Sequence, residues 1–133
     1  MKVVVDRDIP FIQGILEPFA EVEYIAGRSF TKEVVCDADA LVVRTRTRCN
    51  SDLLEGSRVQ FIATATIGFD HIDIDYCRRH NIAIATSAGC NARGVLQWVS
   101  AALALLAKRD GFTPQQRTVG IVGVGNVGRL IKE

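Results

Sequence analysis

The chain has 133 residues, 48% hydrophobic and 23% charged, with a formal net charge of +1. That composition describes a folded globular chain able to bury a core, and it excludes a disordered one. A charge so near zero gives no general attraction to nucleic acid or an anionic membrane, and no apolar run is long enough to span a bilayer. Met1-Lys2 passes straight into a strand pattern without signal-peptide organisation, so a cytoplasmic location is the default. The four cysteines, Cys36, Cys49, Cys77 and Cys90, form no CxxC pair, and no histidine stands at zinc-ligand spacing. No metal site is expected; the cysteines read as buried or half-buried reduced thiols, with Cys90 a partial exception near a helix start that would favour a thiolate.

In chain order, Lys2 to Asp6 reads as a short strand, apolar on both faces as in a covered parallel sheet. Pro10 suits a first helical turn, and Ile12, Ile15, Leu16 and Phe19 follow at helical spacing. Val22 to Ala26 is the next strand, closed by Gly27, and Thr31 is placed to cap a short helix through Val35. Ala40 to Val43 is a third strand. Asn50 or Ser51 caps a brief helix ending at Gly56, and Phe61 to Thr64 makes a fourth strand. Asp70 or Asp73 opens a helix toward Arg79, and Ile82 to Ala85 is a fifth strand. Asn91 to Lys108 is the longest helix, so apolar around its circumference that cover on more than one side is expected. Lys108 and Arg109 suit its C-terminal end, with Gly111 as the C′ residue. This alternation predicts an α/β fold with a mainly parallel sheet.

Ligands of an open parallel sheet lie beyond the carboxyl ends of its strands. Three loops occupy such ends: Asp6 to Asp8, Arg44 to Arg48, and Ala65 to Gly68. In extended conformation Arg44, Arg46 and Arg48 would share one side, with Thr45 and Thr47 on the other. Guanidiniums with hydroxyl donors fit a small molecule carrying carboxylate or phosphate, and equally describe a solvated basic loop. Asp6 and Asp8 raise the idea of a phosphoacceptor receiver domain, but the third strand ends at Arg44 where that chemistry needs an aspartate. Asp6 reads instead as a turn residue. His71 reads as a structural hydrogen-bonding group rather than a general base, and His80 as a helix C-terminal residue.

The run Thr118 to Val122, β-branched at every position but Gly120, leads into Gly123-Val124-Gly125-Asn126-Val127-Gly128, after which Arg129-Leu130-Ile131 resumes in a helix-compatible pattern. Strand, Gly-x-Gly-x-x-Gly and helix start together form the dinucleotide fingerprint, with a merely structural glycine turn as the alternative. Gly123 would make the tight turn, Gly125 would admit a pyrophosphate to the backbone, and Gly128 would let helix and strand pack closely. The amides at the helix start would meet the phosphate charge.

The segments Val43-Arg44-Thr45-Arg46-Thr47, Thr64 to Asp73, Ala88-Gly89-Cys90-Asn91-Ala92 and Arg117 to Gly128, in that order, resemble the D-isomer-specific 2-hydroxyacid dehydrogenases. The resemblance covers the whole chain but only the amino-terminal part of such an enzyme. It implies a flavodoxin-like parallel-sheet substrate domain over residues 1–90, an interdomain helix over 91–112, and over 117–133 the first strand, glycine turn and helix start of a Rossmann NAD-binding domain. It also implies NAD as cofactor, a small phosphorylated hydroxyacid as substrate and a homodimeric full-length enzyme. Thr45 and Thr66 correspond by motif to substrate contacts, with Arg44 a neighbour for an anionic group. Gly123, Gly125, Asn126, Val127 and Gly128 fall on the pyrophosphate turn. No catalytic residue is assigned within the chain, since the family draws its catalytic arginine, glutamate and histidine from segments beyond Glu133. The 133 residues alone are therefore expected to be a catalytically incomplete portion. Two alternatives stand beside this reading: another dehydrogenase of the same group, and a non-catalytic binding module.

Overall fold

A computed structural model of the protein describes residues 1–132; Glu133, the last residue of the expected cofactor segment, lies outside the described residues. The chain forms two compact units, Met1–Ser87 and Ala88–Glu133.

The first unit is built on a five-stranded sheet, β1 (Lys2–Asp6), β2 (Glu21–Ile25), β3 (Ala40–Val43), β4 (Phe61–Thr64) and β5 (Ala83–Thr86). All neighbouring pairs are parallel, in the order β2-β1-β3-β4-β5, which is the flavodoxin-like order. Short helices α1 (Lys32–Val35), α2 (Ser51–Leu54) and α3 (Ile74–Arg79) lie in the connections. The expected α/β class and parallel sheet are found, with the second and fifth strands displaced by one residue.

Strand alternation divides the core. The register aligns Val4, Leu41, Ile62 and Ile84 in one row, and the first three are fully buried with Val35, Val43, Cys49 and Cys77 in the larger cluster. Each such aliphatic side chain contributes about 1.5–3 kcal/mol on burial. The opposite row runs Val3, Ala40, Phe61, Ala83. Its β1 and β3 members are covered by Ile9, Ile12, Leu16 and Tyr24, whereas Phe61 is 40% exposed and Ala83 is open to solvent.

That covering segment is not the helix anticipated from Pro10 onward. Residues 7–20 form consecutive turns, joined by bonds such as Ile15 N–H to the Ile12 carbonyl at 3.3 Å and Phe19 N–H to the Leu16 carbonyl at 2.9 Å. Gly14 sits at φ +83° and Phe11 at φ +60°, both incompatible with a right-handed helix. Pro18 also lacks the N–H a helix would need and disfavours helical geometry at Glu17. The apolar residues at helical spacing reach the sheet through turns instead.

The caps follow local chemistry. Asp73 Oδ1 accepts the Tyr76 N–H at 2.8 Å and opens α3, while Asn50 Oδ1 accepts the Leu53 N–H at a weaker 3.4 Å. Thr31 precedes α1 without a side-chain cap bond. His80 closes α3 as anticipated, its ring stacked on Tyr76 with centroids 4.1 Å apart.

The second unit holds α4 (Ala92–Asp110) and α5 (Asn126–Lys132). Gly111 ends α4 in the left-handed conformation at φ 69°, its N–H bonded to the Ala107 carbonyl, as the C′ reading requires. Only Ala92 and Ala107 of α4 are buried; Trp98 is 72% exposed and Leu105 69%, so the expected cover of this helix is not found within the unit. Residues 118–122 do not form the expected strand. A strand exists through its hydrogen-bonded ladder, and no described residue of this unit pairs with them.

Candidate functional site

In the first unit, the strand ends place the predicted contacts on neighbouring loops. The Arg44–Arg48 segment is not extended: Thr47 N–H bonds to the Arg44 carbonyl at 3.1 Å, so the loop turns, with Arg44 and Arg46 both reaching Asp8 and Arg48 sharing one cleft with Arg46 and another with Thr45. Arg44 is half-buried and donates from Nη1 to the Asp8 carbonyl at 2.9 Å. Arg46 lies 3.6 Å from the Asp8 carboxylate. Arg48 turns toward a cleft of about 300 Å³ lined with Thr45, Gly68, Asp70 and His71. Thr47 is buried and donates its hydroxyl to the Gly27 carbonyl at 2.9 Å. The sequence pattern of two like threonines therefore resolves into an exposed Thr45 and a structural Thr47.

Asp6 ends β1 fully buried, and its Oδ1 accepts the Asp8 N–H at 3.0 Å, the turn role expected of it. Its Oδ2 has no hydrogen-bond partner, and a Cβ added to Gly27 would stand 2.5 Å from that oxygen. The bare glycine therefore lets the β2 exit pack against the β1 carboxylate. Asp6, Asp8, Arg44 and Arg46 thus form one connected support behind the loop that carries Thr45.

Thr66 stands after β4. Its Oγ1 donates to the Gly68 carbonyl at 3.1 Å and lies 2.8 Å from Thr64 Oγ1, which in turn is 3.1 Å from His71 Nε2. Thr64 is 2% exposed, so its hydroxyl is a buried link between a half-buried histidine and a half-buried threonine. Burial holds the His71 pKa below the ordinary histidine value, against an opposing push from Asp70. Backbone bonds from Cys49 N–H to the His71 carbonyl at 2.8 Å and from Asp73 N–H to the Cys49 carbonyl at 2.9 Å tie this loop to the β3 side. The structure thus brings Thr45 and Thr66 to neighbouring strand ends and turns Arg44 to the Asp8 side. Arg48 and Asp70 complete the cleft; the alternation argument treated Arg48 only as one of three equivalent arginines, and nothing in the spacing marked Asp70.

In the second unit, Gly123 adopts φ +90°, available to glycine without strain. A Cβ on Gly128 would collide with the Gly123 carbonyl, so helix and turn meet as closely as the fingerprint requires. Nothing lies within 4 Å of where a Cβ on Gly125 would stand. Asn126 opens α5, and Val127 is half-buried in its first turn. Asn126 also lines a cavity of about 520 Å³ with Gly89, Cys90, Arg93 and Arg129. The turn geometry fits a dinucleotide diphosphate, with open backbone at Gly125 and helix amides behind it, while Arg93 and Arg129 line the cavity that Asn126 reaches. Among the described residues no cluster of metal-ligating side chains is found.

The first unit is thus a parallel α/β sheet of flavodoxin-like order, followed in sequence by a long helix and a Gly-x-Gly-x-x-Gly turn. Residues 3–104 match the model of the D-isomer specific 2-hydroxyacid dehydrogenase catalytic domain, and the chain belongs to that family. It is 53% identical to the erythronate-4-phosphate dehydrogenase of Bacteroides fragilis, covering 100% of this chain and 38% of that protein. Identity to the enzyme of the same name from Bacteroides thetaiotaomicron is 50%, over 98% of this chain and 38% of the other. The chain therefore spans well under half the length of the curated relatives it matches. Among solved structures, NAD+-bound 3-phosphoglycerate dehydrogenase of Entamoeba histolytica superposes with a TM-score of 0.67 at 27% identity, covering 99% of this chain and 49% of that one. D-lactate dehydrogenase of Aquifex aeolicus, complexed with NAD and lactic acid, shares the fold with a TM-score of 0.67 at 19% identity, over 98% of this chain and 46% of that one.

Proposed function

We propose that this chain supplies the substrate-binding portion, and the opening of the Rossmann portion, of an NAD-dependent dehydrogenase that oxidises 4-phosphoerythronate at its 2-hydroxyl. The observation that carries the reading is the 53% identity to an erythronate-4-phosphate dehydrogenase along the whole chain. In that role Thr45 and Thr66 contact the hydroxyacid, and Arg44, anchored on the Asp8 carbonyl, contributes positive potential behind them. Arg48 adds a second cation at the cleft that Thr45 lines. Gly123, Gly125, Asn126, Val127 and Gly128 hold the cofactor diphosphate on backbone N–H groups. NAD, when bound, accepts the hydride from the substrate carbon. The substrate places the reaction in pyridoxal phosphate biosynthesis, in the cytoplasm. No described helix is long and apolar enough to cross a membrane.

A homodimer belongs to the same proposal, supported by the exposed Trp98 and Leu105 on α4. Thermal-shift measurements with 4-phosphoerythronate, unphosphorylated erythronate and 3-phosphoglycerate test the substrate assignment. The largest stabilisation is expected with 4-phosphoerythronate. Equal shifts for erythronate would remove the phosphate from the recognition, and a larger shift for 3-phosphoglycerate would reassign the substrate within the family.

A further inference from the structure

We infer that a cleft beyond the ends of β2 and β3, lined by Arg28, Lys32, Arg46 and Arg48, receives the phosphate of a ligand whose hydroxyacid end lies in the neighbouring cleft beside Thr45. The choice of 4-phosphoerythronate as that ligand rests on the function proposed above; the anion site itself stands on the structure of the first unit.

Topology puts this cleft where an open sheet takes its ligands. In the order β2-β1-β3-β4-β5 the chain reverses its direction of winding between β1 and β3, and ligands bind in the crevice outside the carboxyl ends there. Gly27 follows β2 and the Arg46–Arg48 segment follows β3, the two strands that flank β1. Thr47 donates its hydroxyl to the Gly27 carbonyl at 2.9 Å and so joins the two loops. Gly27 in turn packs on the buried Asp6 carboxylate at the end of β1, where a side chain would not fit. The walls are therefore fixed by groups other than the four cations, and they enclose about 360 Å³.

Charge decides what fits. Four cations face one carboxylate, Asp52, in the lining, on a chain whose net charge is only +1. Asp52 Oδ2 already accepts from Asn50 Nδ2 at 3.1 Å. Arg46 lies 3.6 Å from Asp8 in an exposed, weak pair, while Arg28, Lys32 and Arg48 form no salt bridge among the described residues. Like charges held together repel, and an anion placed among them turns that repulsion into attraction. One bidentate guanidinium satisfies a carboxylate, whereas a phosphate brings three oxygens and close to two charges, enough for several donors from different sides. The Thr45 cleft has a different balance, with Arg48 set against Asp70. Arg48 lines both clefts, so the two are neighbours. A ligand with a phosphate at one end and a hydroxyacid at the other matches the pair, and its phosphate belongs with the four cations.

The test uses the 133-residue chain labelled with ¹⁵N, at low ionic strength where exposed charges are least screened. Titration with inorganic phosphate should move the amide signals of Gly27, Arg28, Lys32 and Arg48; no movement there would overturn the anion site. Arg28→Gln/Lys32→Gln should bind 4-phosphoerythronate about tenfold more weakly than the wild type, and erythronate equally well. Arg78→Gln/Arg79→Gln removes the same charge from exposed positions at the end of α3 and should alter neither affinity. Equal losses for the two acids, or the same loss in the α3 variant, would overturn the phosphate assignment. Inorganic phosphate should also compete with 4-phosphoerythronate, and simultaneous binding of the two would overturn it as well. A wild-type chain that binds neither acid yet takes inorganic phosphate at these amides would refute the substrate assignment and uphold the anion site.

Discussion

A single glycine and a single thiol carry much of the local chemistry of the first unit. Gly27→Ala would press a Cβ to 2.5 Å from Asp6 Oδ2, and that carboxylate is fully buried with its other oxygen held by the Asp8 N–H. The neighbours cannot yield freely, so a loss of about 1–3 kcal/mol is expected in urea unfolding. The same change should loosen the Thr45 loop, because the Gly27 carbonyl receives the Thr47 hydroxyl. Burial, with the nearby Cys77 adding, pushes the Cys49 thiol up to about 12, and burial raises Cys77 as well. Cys36 and Cys90 are exposed, so the buried or half-buried placing expected of the four thiols holds only for Cys49 and Cys77. Iodoacetamide at mildly alkaline pH should therefore label Cys36 and Cys90 quickly and spare Cys49 and Cys77 until the chain unfolds, with mass spectrometry giving the sites. His71 imposes a pH dependence whose sign is fixed by its lowered folded pKa. The unfolded state binds the proton more readily, so the contribution of His71 is complete above the unfolded value of 6.5 and lost as pH falls through the folded pKa. Urea midpoints should fall on acidification across that window, and His71→Gln should flatten the slope.

At the level of elements, the two N-caps differ in a measurable way. Asp73→Ala removes a 2.8 Å bond and should cost about 1 kcal/mol, whereas Asn50→Ala removes one of 3.4 Å and should cost less. Chemical denaturation of the two variants ranks them, and a reversed order would contradict the cap assignment. The turn segment over residues 7–20 shows why periodicity alone misjudged this connection. Ile12 and Leu16 do pack on the sheet face with Val3 and Val5, so the apolar spacing was informative about burial. It was silent about backbone, because Gly14 at positive φ and Pro18 override a preference worth only tenths of a kcal/mol per residue. Residues 118–122 fail as a strand for a different reason. Their largely β-branched composition is a strand preference, but a strand needs a hydrogen-bonded neighbour, and no described residue pairs with them.

For the whole molecule, the contrast between the two units is the main consequence. Met1–Ser87 buries a two-sided core on its sheet, while the long helix of the second unit buries only Ala92 and Ala107. A polypeptide of residues 1–87 should therefore unfold cooperatively by itself, and residues 88–133 alone should show low, non-cooperative helicity by circular dichroism. Leu41→Ala at the centre of the sheet should cost about 2–5 kcal/mol, as the side chain is fully buried.

Along the chain, the residue pattern by itself determined the parallel α/β architecture, the end of α3 at Arg79, the Gly111 terminus of α4, the turn role of Asp6 and the family. Those features depend on alternation, caps and motifs, which are local and repeat in every protein that uses them. The glycine turn was legible for the same reason: Gly123 at φ +90° and Gly128 against the Gly123 carbonyl are backbone demands written directly into residue type. Tertiary structure alone decided which arginine faces the cleft, since Arg44, Arg46 and Arg48 are chemically alike and only the turn between Arg44 and Thr47 separates them. It also decided the part played by His71. A histidine in a loop carries no sign of its partner until folding brings the buried Thr64 hydroxyl within 3.1 Å of its ring.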